Sequence, residues 1–338
     1  MKHLKTTILE DYISNRIFFL AVLLPVSLIP AFLVTGPFLP DLSISIAAIF
    51  ICYQILYKKK YHYLNFIPIY IFFLFCFYIL ITSFFATDIY LSLTETLFYC
   101  RFGFFSIFIY YILKNNKNFI YYFTIFFIIT FLIVYIDSYF QYFFKFNITG
   151  NAYNGFRLNS FFGSELKLGS FVVRLTPILI GLILYNFKDS YFIRFFLIFI
   201  LINSFIIALL SGERVAFFLL LLYLLGFFVL TNIRLNYKIL TILIILPVIS
   251  FITISNKEVR HRMIDSTINQ LFDKNNLNYF YISRSHSGTF ITAFNMFLDK
   301  PYIGIGVKNF RVLCNENKYW NKSNKIQKNE DGSIIKNE

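Results

Sequence analysis

Three arginines lie within or at the ends of long apolar stretches, where a charged side chain is costly. They are Arg101, Arg174 and Arg214. A charge at the centre of a bilayer costs about 2.5–3.5 kcal/mol on insertion scales, so an arginine there usually faces a cavity or a partner. A planar guanidinium binds phosphate through two parallel hydrogen bonds. These positions therefore favour a phosphate-bearing ligand.

Each arginine also has a structural explanation that the sequence leaves open. Arg101 could pair with Glu95, about one and a half helical turns earlier, and Arg174 could extend its side chain to the membrane surface. Arg214 ends the motif SGER at 211–214 and could pair with the glutamate before it. The serine and glycine of this motif suit a tight helix-to-helix turn.

Histidine is the side chain best suited to proton transfer near neutral pH. His261 and His286 lie in the polar segment after the last long apolar stretch. We take His286 as the candidate catalytic residue. The sequence contains no His-x-x-x-His or Cys-x-x-Cys pair, no P-loop and no GxGxxG motif. We therefore expect neither a metal nor another cofactor.

The elements that position these residues follow from the composition. Hydrophobic residues make up 58% of the 338 residues and charged residues 14%, against about 45–50% and about 25% in a soluble domain. A soluble fold could not hide this much apolar surface. The composition also excludes disorder and a disulfide-rich scaffold. It predicts an all-α, polytopic membrane helix bundle.

Nine stretches are long enough to cross a bilayer core, which needs roughly 20 apolar residues. The first is typical of a signal anchor, because its apolar run is too long for a signal peptide and lacks an Ala-x-Ala cleavage site. The nine stretches are residues 17–35, 40–57, 66–86, 91–113, 119–139, 169–186, 193–210, 215–232 and 238–255.

Lysine and arginine in the short loops predict the orientation. They occur in the N-terminal tail and in every second loop, whereas the opposite connections, 36–39 and 87–90, contain none. The N terminus is therefore predicted to be cytoplasmic, with residues 140–168 and 256–338 outside, in a periplasm. Because topology explains the cytoplasmic basic residues, the net charge of +14 does not indicate nucleic-acid binding.

On this topology the candidate arginines lie from the middle of the membrane outward. The outer loops add two more, Arg157 and Arg284. We predict an outward-facing pocket for a phosphate or diphosphate whose lipid tail stays in the bilayer. An anion pathway is the alternative. The predicted binding residues are Arg101, Arg157, Arg174, Arg214 and Arg284.

The segment after the last span contains an amphipathic pattern. Phe290, Phe294 and Phe297 share one face of a predicted helix, which either lies on the membrane or packs on the bundle. A proline and two glycines in residues 300–306 predict a turn. The polar residues 312–338 predict a disordered tail.

Two segments carry a resemblance to the O-antigen ligase and polymerase superfamily of bacterial envelope glycosyltransferases, and a third is also similar. The sequence SGERVA at 211–216 is similar to the family's Ser/Arg-containing turn before a transmembrane helix. Arg284, the helical stretch after it and KPYIGIGVKNF at 300–310 resemble the family's arginine, amphipathic helix and Pro-x-x-Gly-x-Gly-x-x-Asn-Phe turn. Residues 157–177 resemble its earlier outer loop.

The resemblance covers most of the chain and is sharpest over about 198–311. It suggests an N-terminal transmembrane bundle (1–197), a ligase-related region (198–311) and the tail (312–338). It implies an inner-membrane enzyme that takes a glycan from undecaprenyl diphosphate. A ligase moves the glycan to lipid A–core in lipopolysaccharide biosynthesis, and a polymerase moves it to another repeat unit.

Motif position implies that Arg214 and Arg284 hold the diphosphate, with no nucleotide sugar and no obligatory metal. One feature of the family is missing: its loop usually continues to a histidine and further spans, and His286 stands too early to match. We therefore expect a chain truncated before the usual loop histidine, or a different general base. A transporter of an anionic lipid or solute and an inactive remnant remain as alternatives.

Overall fold

The computed structural model describes residues 18–65, 67–116, 118–153, 157–230, 233–271, 284–316 and 318–319. Regular structure in these ranges is helical, apart from one isolated antiparallel bridge between Phe146 and Ala152. The predicted all-α class is confirmed. Helices suit an apolar chain because each satisfies its own backbone hydrogen bonds, which lipid cannot do.

Within the described residues, seven helices are long and apolar enough to cross a membrane, so the chain has the character of a multi-pass membrane protein. Two more helices, labelled α7 and α9 below, matter for the site: α7 is apolar and has 17 residues, and α9 is amphipathic. The helices are α1 (Phe38–Leu56), α2 (Ile67–Phe84), α3 (Ile89–Asn115), α4 (Phe119–Phe144), α5 (Leu168–Asn186), α6 (Tyr191–Leu210), α7 (Arg214–Leu230), α8 (Leu235–Ser255) and α9 (Arg284–Asp299).

Two predicted stretches differ from the seven long helices. Residues 17–35 contain three short helical segments, Phe19–Leu23, Leu24–Ser27 and Ile29–Thr35, of which the second and third have a proline near their start. Proline lacks the backbone donor that a continuous helix needs, so it divides this stretch. The stretch 215–232 corresponds to α7, whose described part has 17 residues, at the lower end of the length that crosses a bilayer core.

The contacts divide the chain into two compact units. Unit 1 contains the described residues of Met1–Phe50 and Ile109–Thr267, and unit 2 those of Ile51–Phe108 and Ile268–Glu338. The predicted boundaries at 197 and 311 stay a prediction.

In unit 1 the core lies between α4, α5 and α6. Polar side chains connect the three helices: the Tyr135 hydroxyl is 2.8 Å from Ser204 Oγ, which is 2.9 Å from Thr176 Oγ1. Hydrogen bonds of this kind hold helices together in a bilayer, where apolar burial gives little preference for protein over lipid. Fully buried apolar side chains surround them, including Phe127, Phe131, Leu179 and Leu201.

In unit 2 small and hydroxylated residues bring α2 and α3 together. Ser83 Oγ is 2.8 Å from both Thr96 Oγ1 and Ser92 Oγ. Gly103 admits a phenylalanine ring of α2, since a Cβ at this position would lie 2.8 Å from Phe72 Cδ1. Such close contacts are typical of helix pairs in membranes.

The C-terminal part of unit 2 continues past α9. Residues 310–313 form a short helix, and Leu313 and Tyr319 are buried against Met296 of α9. Packing therefore extends into the first residues of the predicted tail. The remainder of the tail, from residue 320, lies outside the described residues.

Candidate functional site

The turn at 211–213 joins α6 to α7 and forms the centre of the candidate site. Gly212 has a φ of +66°, a left-handed conformation that favours glycine. Its N–H donates to Leu209 O at 3.0 Å, and the Ser211 hydroxyl donates to Ala208 O at 2.8 Å. The predicted helix-to-helix turn is therefore confirmed, and its sequence accounts for its shape.

Glu213 caps the neighbouring helix. Its carboxylate accepts the backbone N–H of Gly169 at 3.0 Å and the hydroxyl of Ser170, both in the first turn of α5. An acidic group is stabilising at a helix N terminus because unpaired N–H groups and the helix dipole attract it. The close approach requires Gly169, since a Cβ there would lie 2.3 Å from Ser211 Oγ.

Arg262 lies against the same turn. Its Nε donates to Gly212 O at 2.8 Å, and a Cβ on Gly212 would lie 2.8 Å from Arg262 Cδ. Burial lowers the pKa of Arg262, the positive charges of Arg157 and Arg214 lower it further, and Glu213 acts in the opposite direction. The charges of Arg157 and Arg214 thus disfavour the positive charge of Arg262, and a bound anion would offset this effect.

Arg157 reaches the turn from the loop between α4 and α5. The adjacent Leu158 N–H donates to Leu210 O at 3.1 Å, which fixes this part of the loop beside the end of α6. A Cβ on Gly212 would lie 3.6 Å from Arg157 Cγ. The buried Nε of Arg157 has no hydrogen-bond acceptor among the residues that the structure describes. A buried donor of this kind calls for an explanation, and a bound anion is one.

A buried carboxylate on α4 anchors the loop that carries Arg157. Asp137 is fully buried and accepts hydrogen bonds from Ser160 Oγ and, at 2.9 Å, from the Ile148 N–H. Asn147 Nδ2 lies 3.4 Å from the same carboxylate and donates to Ser160 O at 2.9 Å. The loop is therefore attached to one helix position on both sides of Arg157.

Gln141, one turn further along α4, adds a second anchor. Its Oε1 accepts the backbone N–H groups of Asn159 and Ser160 at 3.2 and 2.7 Å. Its Nε2 donates to Asn159 Oδ1 at 2.6 Å. Since Ser160 has a φ of +49°, these bonds hold a backbone conformation that non-glycine residues rarely adopt.

A cavity of about 420 Å³ opens beside the turn, within unit 1. Basic side chains dominate its lining, which suits an anionic group larger than a single ion. The segment after α8 supplies most of the lining, because Asn256 Oδ1 accepts the N–H groups of Glu258 and Val259 and starts a new helical turn there. The lining residues are Arg214, Lys257, Glu258, His261, Arg262 and Ser266.

His261 is the histidine of this lining, and imidazole is the side-chain group best suited to general acid–base chemistry. It is exposed, and its Nδ1 lies 3.7 Å from Asp265 Oδ2. The arrangement places an imidazole next to a group of guanidinium cations. It could therefore accept a proton close to a bound anion.

The structure brings two of the five predicted arginines, Arg157 and Arg214, to the same turn in unit 1. Arg174 is exposed on α5, one turn beyond the residues that Glu213 caps. Arg174 is not one of the residues that line the cavity.

The remaining predicted site residues belong to unit 2. Arg101 lies on α3, with its guanidinium carbon 5.1 Å from a neighbouring phenylalanine ring. Glu95, which the sequence suggested as its partner, forms an ion pair with Lys308. Arg284 begins α9, and the side chains of Arg284 and His286 lie outside the described residues.

Sequence reasoning did not place Arg262, Lys257 or Asp137 in the site. The first two stand in the polar segment directly after the last predicted span, and no motif distinguishes them from the other charged residues there. Asp137 carried a clearer signal, because an acid within an apolar stretch is costly and usually functional or structural. Across the described ranges, no group of three His, Cys, Asp or Glu side chains could hold a metal ion.

Comparison of the chain with protein-family models, with curated proteins and with solved structures gives no match in any of the three.

Proposed function

We propose that the protein is a membrane glycosyltransferase of the O-antigen ligase type. It would transfer a glycan from undecaprenyl diphosphate to lipid A–core in the inner membrane of a bacterium. The proposal includes nine spans, with the short segments 18–35 and α7 completing the set, a cytoplasmic N terminus and periplasmic residues 256–338. The turn at 211–213 would then face the periplasm, where lipid-linked glycans are used.

One observation supports this proposal above the others: Arg157, Arg214 and Arg262 converge on a turn at the end of two membrane helices, beside a cavity. Guanidinium groups at such a place suit a diphosphate whose lipid tail stays in the bilayer. A cavity of about 420 Å³ is within the usual size range for small-molecule sites.

The proposed reaction is a displacement at the anomeric carbon of the glycan. The acceptor hydroxyl oxygen forms the new C–O bond, and the bond between the anomeric carbon and the phosphate oxygen breaks. The diphosphate leaves with the bonding electron pair, so negative charge grows on it in the transition state. Positioned cations therefore stabilise the transition state more strongly than they stabilise the ground state, which is the condition for catalysis.

The acceptor hydroxyl also loses a proton. We assign this proton to His261, because its imidazole lines the cavity with Arg214 and Arg262. This differs from the sequence-based choice of His286. A His261→Gln variant would keep the size and polarity of the side chain but would not accept the proton near neutral pH.

The test uses the full chain reconstituted in vesicles with an undecaprenyl-diphosphate-linked glycan and lipid A–core. Arg262→Gln is expected to lower kcat by about 10²-fold, the usual effect of removing one group that stabilises transition-state charge. Arg260→Gln is the matched control, because Arg260 is exposed and two residues away. Lys257→Gln, an exposed lining residue, tests the cavity without changing the hydrogen bond to the turn.

Equal activity of Arg262→Gln and Arg260→Gln would contradict the assignment of the site. The products separate the two members of the superfamily. Addition of glycan to lipid A–core identifies a ligase, whereas lengthening of the carrier-linked glycan without lipid A–core identifies a polymerase. Movement of the intact lipid-linked glycan across the vesicle membrane, with no new glycosidic bond, would favour the alternative that the protein is a transporter.

A further inference from the structure

In unit 2, α9 is one part of a larger folded element, which we call the C-terminal platform: residues 288–316 with 318 and 319. One side of α9 packs on the segment after it. Met296 is buried with Leu313 and Tyr319, and Asn295 Nδ2 donates to Tyr319 O at 3.2 Å. Asp299 accepts hydrogen bonds from Lys318 Nζ and the Tyr319 hydroxyl at 2.6 and 2.7 Å. The orientation of α9 within the platform is thereby fixed.

The platform is attached to the turn at 85–88 between α2 and α3. Asn309 is fully buried, and its Oδ1 accepts the Asp88 N–H at 2.8 Å. Gly306, with a φ of +89°, approaches this turn so closely that a Cβ would lie 2.4 Å from the Ala86 Cβ. Lys308 forms an ion pair with Glu95 on α3. These contacts place the platform at the end of two candidate spans.

A further contact gives the depth of the platform relative to α2. The Tyr78 hydroxyl donates to Tyr302 O, three residues after α9 ends. Tyr78 precedes Phe84, the end of α2, by six residues. At 1.5 Å per residue this is about 9 Å along the helix axis. The chain leaving α9 therefore lies beside the last turns of a spanning helix.

The side of α9 opposite Met296 is apolar and exposed. Phe290, Phe294 and Phe297 are 60, 49 and 55% exposed, and Leu298 beside them is 59% exposed. Tyr302, at the point of contact with α2, is 88% exposed. Apolar residues are also exposed near the end of α2, and they include Tyr78, Ile81 and Phe84.

We propose that α9 is an interfacial helix whose phenylalanine face is buried in the bilayer surface on the side of the 85–88 turn. We assign lipid to this face, because the platform is attached to the end of α2, a helix long and apolar enough to cross a membrane, and apolar side chains of α2 are exposed there. Interfacial helices insert about 5–10 Å, to the boundary between headgroups and acyl chains. The proposal concerns placement in the membrane and does not depend on glycosyl transfer.

The experiment measures the depth of single tryptophans in the full chain. The chain contains one tryptophan, at position 320, so Trp320→Phe provides the background. Phe294→Trp and Phe297→Trp are examined separately in phosphatidylcholine–phosphatidylglycerol vesicles with brominated acyl chains. Both are expected to show a blue shift of emission and a loss of intensity relative to unbrominated vesicles, with little quenching by iodide.

Thr289→Trp is the matched control, because Thr289 is exposed on the same helix about 140° away from Phe294. It is expected to be quenched less by bromine and more by iodide. If Phe294→Trp disturbs folding, Phe290→Trp tests the same face. Quenching of the face by iodide alone would overturn the proposal in favour of an aqueous surface. Protection from both quenchers would overturn it in favour of a protein partner or a second copy.

Discussion

Two turns between consecutive helices differ in the residues that contact them. At 85–88 the approaching residues are Gly306 and the neutral amide of Asn309, which bonds to the backbone of Asp88. At 211–213 the approaching side chains are Arg157 and Arg262, and Arg262 donates a hydrogen bond to the backbone oxygen of Gly212. A glycine with positive φ allows the close contact in both cases, Gly306 in one and Gly212 in the other.

The difference separates two motifs that the resemblance treated alike. In the 300–310 motif, the amide of Asn309 holds the C-terminal platform against the 85–88 turn. The 211–214 motif instead supports positive charge beside an open cavity. In the isolated protein the charges of Arg157 and Arg214 disfavour the positive charge of Arg262. A charged group that is perturbed in this way is a better indicator of ligand binding than a satisfied contact.

The largest expected effect tests whether Asp137, which holds the Arg157 loop on α4, is needed for ligand binding at the 211–213 turn. Asp137→Ala leaves the Ser160 hydroxyl and the Ile148 N–H without their acceptor, and each buried donor left unpaired costs about 1–3 kcal/mol. We expect a lower thermal unfolding temperature in detergent and weaker binding of undecaprenyl diphosphate, because the Arg157 loop is released. Asp137→Asn, which retains one acceptor, should fall between this variant and the wild type. Unchanged binding by Asp137→Ala would separate the anchor from the site.

The next effect tests the other turn. Asn309→Ala leaves the partly buried Asp88 N–H without its acceptor, at a cost of about 1 kcal/mol, near the low end for an unpaired donor. We expect faster amide hydrogen exchange in residues 302–313, with no change in diphosphate affinity. The exposed Asn315, changed to alanine, is the matched control. A loss of diphosphate affinity in Asn309→Ala would remove the functional distinction between the two turns.

Most of the fold could be predicted from the sequence because spanning helices are a local property. An apolar run of about 20 residues needs no information about its neighbours to become a helix in lipid. The exceptions have local causes too, since Pro25 and Pro30 stand where the first run divides.

Only part of the candidate site could be predicted, because side chains from distant segments meet there. Arg214 was identified from its own motif, and Arg157 from the outer loop. Arg262 is 50 positions from Gly212, and no periodicity connects them. Glu213 shows the same limit, because its function as the cap of α5 depends on a residue 44 positions earlier. Loop-to-turn contacts of this kind follow from tertiary packing rather than sequence pattern.

A smaller effect sharpens the electrostatic part of the comparison. Glu213→Gln keeps an acceptor for the Gly169 N–H but removes the negative charge beside Arg262. We expect α5 capping to weaken by about 1 kcal/mol. Diphosphate binding should nevertheless tighten by about 1 kcal/mol, roughly fivefold, at low salt, and the gain should shrink as salt screens it. Glu165→Gln, at an exposed carboxylate paired with Lys167, is the control and should leave the affinity for diphosphate unchanged. Weaker binding by Glu213→Gln would contradict the prediction that the arginines at the 211–213 turn bind the diphosphate through their positive charge.

The smallest effect concerns the platform alone. Hydrogen bonds from Lys318 and Tyr319 lower the pKa of Asp299. A carboxyl whose pKa is lower in the folded state stabilises that state above its ordinary pKa of about 3.9, and the contribution is lost as pH falls through the lowered value. Asp299→Asn should therefore raise hydrogen exchange in residues 313–316 at neutral pH, whereas Glu316→Gln, at an exposed acid, should not. Because Asp299 is at the surface, solvent screening limits the change to the C-terminal side of the platform. Spread of faster exchange to the 85–88 turn would mean that the platform is held by this contact rather than by Asn309.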